Sequence, residues 1–151
     1  MATKTAKNKP SIITSYEDAC LALGRISNSL PEALVSMMPI EHQKSVLAYC
    51  KLIITLDAIR KFWRPDWKDG KAKYYNYFEI VPDKSGSGFV FSFTYSFNTY
   101  TSATVGSRLL FETEEQAIFA ASQPKILALY KDYLLYPSDK ELRKMKLKEL
   151  L

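Results

Sequence analysis

The densest chemistry in the chain lies between Arg60 and Tyr77. Trp63 and Trp67 bracket Arg64, Pro65 and Asp66, and Arg60, Lys61, Arg64, Lys68, Lys71 and Lys73 set six cations against Asp57, Asp66 and Asp69. Aromatic rings accept stacked bases and cations neutralise phosphates, so this interleaving suits single-stranded nucleic acid. Tyr74, Tyr75 and Tyr77 extend the aromatic platform. The same residues admit a plainer role, because two Trp around a Pro also plug the junction between a helix and a sheet.

Elsewhere the residues needed for catalysis do not assemble. His42 is the only histidine and sits where a long helix starts. A catalytic imidazole needs a nucleophile and an orienting acid brought close by the fold. Cys20 and Cys50 are the only thiols, and two Cys with one His make no zinc set. Ser85-Gly86-Ser87-Gly88 falls between strands, not between a strand and a helix, so it reads as a turn and not a phosphate loop. Glu114 and Glu115 fall in the first turn of a helix, where acids complement the dipole. The expectation is a protein that is not an enzyme, with no catalytic residues, metal or cofactor. Asp57 borders an apolar stripe and pairs in this reading with Lys61 at i+4. Arg108 either faces a ligand or pairs with an acid such as Glu79.

Of the 151 residues, 47% are hydrophobic, enough for one domain with one core. The net charge of +5 comes entirely from the ends: Lys4, Lys7 and Lys9 lie in the first ten residues, and residues 139–151 carry an excess of two cations. The part between the ends is neutral, so a basic total does not by itself argue for nucleic acid. The start of the chain lacks the apolar stretch of a signal peptide, and no window approaches the ~20 apolar residues of a membrane span. The expected location is the cytoplasm of a bacterial host, or a virion, with both cysteines as thiols.

The expected class is α+β: helices, then a three-stranded antiparallel meander packed on a long central helix, then C-terminal helices. Residues 1–10 read as a flexible basic arm, 11–136 as a single domain and 137–151 as a basic C-terminal helix. Ser15 with Asp18 caps a first helix that Gly24 stops. Pro31 opens a short second helix to Met37, and Pro39 a long one over Ile40 to Phe62. Val46, Leu47, Cys50, Ile53, Ile54, Ala58 and Phe62 mark its core stripe. Strands are predicted at Lys73 to Val81, Phe89 to Phe97 and Val105 to Phe111, with a turn over Pro82 to Gly88. Phe89, Phe91, Phe93, Tyr95 and Phe97 should form one aromatic face, against which Val46, Ile53, Ile54 and Phe62 pack, leaving Ser92, Thr94, Ser96 and Asn98 solvated. Thr113 with Gln116, and Ser138 with Glu141, cap later helices, with Pro124 and Pro137 as breaks.

The runs KLIITLDAI, WRPDW, KYYNYF, VGSRLLFETEEQA and LYKDYLL, in that order, resemble a family of small proteins from phages and mobile elements of Bacteroides-type gut bacteria, crAss-like phages included. The resemblance covers roughly residues 40–136. It implies a source and carries no catalytic residue. Two roles remain open. One is a phage accessory protein binding single-stranded nucleic acid through Arg60, Lys61, Trp63, Arg64, Trp67, Lys68, Lys71, Lys73, Tyr75 and Tyr77. The other is a protein-binding or virion-assembly module whose basic arms hold neighbouring subunits.

Overall fold

The computed structural model describes residues 12–26, 35–83, 86–97 and 107–149. In chain order these form α1 (Tyr16–Ala22), α2 (Ile40–Ile59), β1 (Lys73–Asp83), β2 (Gly86–Phe97), a 3-10 turn (Ser107–Leu109), α3 (Glu114–Ser122), α4 (Pro124–Leu134) and α5 (Asp139–Glu149). The fold is mixed α+β, with a two-stranded antiparallel sheet among the described residues. No described helix is long and apolar enough to cross a membrane. The arm expected at 1–10 and the helix start at Pro31 lie outside the described residues.

Local chemistry sets the helix starts. The Ser15 hydroxyl accepts from the Asp18 amide, while the Asp18 carboxylate reaches past it to the Thr14 amide and hydroxyl. Those donors hold the Asp18 carboxyl below its usual range. Thr113 accepts from the Gln116 amide at the start of α3, and Pro124 occupies the first turn of α4, where its missing N–H costs nothing. Ser138 and Glu141 form a reciprocal box at the start of α5. Glu141 also meets Lys44 of α2, which in turn bonds Asp132 of α4, so one ammonium ties three helices together.

The interior is built on Leu52, Leu56, Phe111, Ala117, Ala120, Ile126 and Tyr130. The buried stripe of α2 is therefore Ala48, Leu52, Thr55 and Leu56, not Val46, Ile53, Ile54 and Phe62. Apolar residues occur on most sides of α2, so periodicity alone did not select the buried one. Its neighbours select it: α2 packs chiefly on α4 and α1 rather than on the sheet. Thr55 enters the stripe because its hydroxyl donates to the Lys51 carbonyl. Phe62 lies beyond the end of the helix and is 49% exposed.

The sheet departs from expectation in three ways. The third strand reduces to one antiparallel bridge, in which Tyr74 and Phe111 exchange both backbone hydrogen bonds at 3.1 and 2.8 Å; Ser107–Leu109 is a 3-10 turn, and residues 105–106 lie outside the described residues. The ladder also runs beyond the expected turn, pairing Val81 with Gly88, Pro82 with Ser87 and Asp83 with Gly86. Finally, a bulge follows Tyr77, so that Tyr77 faces Phe93 but Phe78 faces Phe91. One extra residue changes which side chains share a face. The bulge lets Thr94 and Phe91 both serve the core side: Thr94 bonds the buried Asn76, and Phe91 meets Phe78 edge-on. The period-2 stripe of β2 is thus not one continuous face, and Thr94 is not left to solvent.

Candidate nucleic-acid interface

The last turn of α2 sets the geometry. The Phe62 amide donates to the Asp57 carbonyl at 2.9 Å and the Lys61 amide to Ala58 at 3.3 Å, the paired bonds of a Schellman motif. Its left-handed position usually belongs to glycine, but here Lys61 holds it at φ 51°, followed by Phe62 at φ 59°. Helix α1 ends in the same motif with Gly24 in the left-handed position: the Arg25 amide donates to Cys20 at 2.8 Å and the Gly24 amide to Leu21 at 3.2 Å. Phe62 and Arg25 thus occupy equivalent places after the two helices, and both line one groove of about 310 Å³ with Leu23, Cys50, Ile53, Ile54, Asp57 and Arg108.

Arg60 and Lys73 do not belong to the surface. Arg60 is 3% exposed. Its guanidinium donates to the carbonyls of Leu56 at 3.2 Å, Ser107 at 3.3 Å and Leu110 at 2.8 Å, and to the Asp57 carboxylate. Burial lowers its pKa and Asp57 opposes that shift; an arginine remains charged. Lys73 is also 3% exposed, with its ammonium on Asp69 and the Lys71 carbonyl. Both act as internal ties, which the linear charge pattern could not distinguish from surface cations.

The remaining cations of the segment, Lys61, Arg64, Lys68 and Lys71, are exposed. Arg64 meets Asp57 at 3.1 Å, so one carboxylate serves two guanidiniums. Asp57 does not take Lys61, because the left-handed turn carries Lys61 off the helix face. Asp66 accepts from the Lys68 amide, and Asp69 from the Lys71 amide and the Lys73 ammonium. The Lys73 ammonium and the Lys71 amide hold the Asp69 carboxyl below its usual range. Trp63, Trp67 and Tyr75 are partly buried and Tyr77 is exposed, so the rings divide between packing and surface.

Sequence reasoning missed Arg25 and left Arg108 undecided. Each is exposed at the groove, and neither side chain makes a hydrogen bond or ion pair among the described residues; Arg108 does not pair with Glu79. His42 stands edge-on to Tyr136, with ring centroids 5.9 Å apart, and Ser45 donates to the Tyr133 carbonyl. Cys20 is buried and Cys50 partly buried, both as free thiols. No group of three or more metal-ligating side chains occurs among the described residues. No family model, curated protein or solved structure matches the chain.

Proposed function

We propose that the protein is a non-enzymatic accessory protein, of a phage as its resemblance implies, that binds single-stranded nucleic acid without marked sequence preference. One observation carries this reading. The acids of the 57–73 segment are held by local donors, Arg64 among them, whereas Lys61, Lys68 and Lys71 remain exposed without ion pairs among the described residues, beside partly accessible rings. Such a surface attracts phosphates and offers faces for stacking. Fluorescence anisotropy with a labelled oligonucleotide at low salt tests it. Micromolar binding is expected; no binding at tens of micromolar protein ends the reading.

A second reading, a protein-binding or virion-assembly module, is favoured by a mainly apolar groove of about 480 Å³ lined by Ile12, Ile13, Ala58, Ile59 and Phe119 together with Lys61, Glu115 and Gln116. Exposed apolar surface of this kind marks protein contacts. Light scattering on the purified protein tests it: a stable oligomer that dissociates on Ile12→Glu substitution supports it, and a monomer at all concentrations argues against self-association.

A further inference from the structure

We infer that the groove between the ends of α1 and α2 seats one base of a nucleic-acid strand, with the flanking phosphates on Arg25 and Arg108. The inference rests on the single-strand reading above and gives it a specific seat.

The floor is apolar, formed by Cys50, Ile53, Ile54 and Leu23, with Phe62 at its edge. Ile53 and Ile54 line it because the buried stripe of α2 faces elsewhere. An apolar floor alone would suit many partners. The rim narrows the choice: the side chains of Arg25 and Arg108 are both exposed without ion pairs among the described residues, and the lone carboxylate, Asp57, already serves Arg60 and Arg64. Among the described residues the groove therefore carries an uncompensated positive charge around an apolar centre, complementary to a flat apolar group between anions. Its volume of about 310 Å³ lies at the small end for ligand sites, which suits one base better than a large cofactor.

The rim is also held in place. Arg60 clamps the carbonyls of Ser107 and Leu110 on either side of the turn that carries Arg108. Lys61 and Phe62 hold left-handed conformations that disfavour L-residues, and such strain concentrates where a side chain must be placed for function. Here it places Phe62 beside the groove.

Cys50 lines the groove and Cys20 is buried outside it, so alkylation provides a local readout in the unmodified protein. Iodoacetamide modification of each cysteine is followed by mass spectrometry with and without saturating oligothymidylate, and with polyglutamate as an acidic-peptide control. The expected result is roughly tenfold protection of Cys50 by the oligonucleotide and none by polyglutamate. Phe62→Ala should weaken oligonucleotide binding by roughly 5- to 150-fold, the range for loss of a stacking ring, and Arg25→Ala should weaken it as well. Anisotropy that shows binding, with Cys50 unprotected and Phe62→Ala unchanged, overturns the groove and leaves the broader reading standing. No oligonucleotide binding at all overturns both. Protection by polyglutamate alone assigns the groove to an acidic peptide and overturns the inference. If Cys50 reacts too slowly in the free protein to be followed, the Phe62→Ala affinity decides.

Discussion

The guanidinium of Arg60 and the carbonyl of Leu110 meet at 2.8 Å in the interior, across fifty positions of sequence. This bond and its companion to Ser107 fix the end of α2 against the segment that carries Arg108. Arg60→Lys keeps the charge but loses the planar fork that reaches several acceptors. It should cost about 2–4 kcal/mol, since buried carbonyls and part of an ion pair lose their partner. Urea denaturation checks this; a loss below about 0.5 kcal/mol would mean the clamp contributes little.

Lys61 sits where glycine is the default residue. Left-handed backbone costs an L-residue about 1–2 kcal/mol, and the greater freedom of glycine in the unfolded chain offsets part of the relief. Lys61→Gly should therefore raise stability by roughly 0.5–1 kcal/mol while weakening oligonucleotide binding. Thermal unfolding together with anisotropy reads both effects, and opposite signs are expected.

The Tyr130 hydroxyl is buried near the Asn76 amide without a well-aligned hydrogen bond, and burial pushes its pKa up. Asn76 already bonds Ala117 and Thr94. Tyr130→Phe should be neutral or stabilising by up to about 1 kcal/mol, because it removes an unsatisfied polar group and keeps the ring. Phe111→Ala, a fully buried truncation, should cost about 3–5 kcal/mol. A large loss for Tyr130→Phe would show that its hydroxyl is bonded in solution.

Hydrogen bonds from the Ser138 amide and hydroxyl, and then from Lys44, hold Glu141 at about 2 instead of 4.5. The unfolded chain takes up the proton first as pH falls, so this contribution is complete above about pH 4.5 and lost as pH falls toward 2. Glu141 is exposed, so solvent screening reduces the net effect. Glu141→Gln should flatten the acid limb of a stability-versus-pH curve. An unchanged limb would show that this box does not control acid sensitivity.

Helix starts were legible because each rests on a few adjacent residues, as at Ser15, Thr113 and Ser138. Strands β1 and β2 were legible from their aromatic and β-branched content, but the same content at Val105 to Phe111 suggested a third strand where the described residues form a 3-10 turn and a single bridge. The buried face of α2 was not, because Leu52 and Ile53 look alike in sequence and only packing on α4 separates them. The bulge after Tyr77 left no clear mark in the alternation of β2. At the candidate interface, the sequence brought the cations of 60–73 together, but not the burial of Arg60 and Lys73. Those depend on distant carbonyls and local turns. Arg25 joins the groove through the packing of α1 on α2, and Arg108 through the contact of its turn with α2, held by Arg60.

The most direct test of the central claim is the salt dependence of oligonucleotide affinity. For single strands, log Kobs falls by about 0.7 per unit of log salt for each phosphate neutralised. Replacing Lys61, Lys68 and Lys71 together with Ala should shallow that slope by roughly 2, whereas Lys140→Ala with Lys146→Ala on α5 should leave it unchanged. An unchanged slope in the triple variant, with a shallower one in the α5 variant, would move the contacts to the terminal helix and contradict the account.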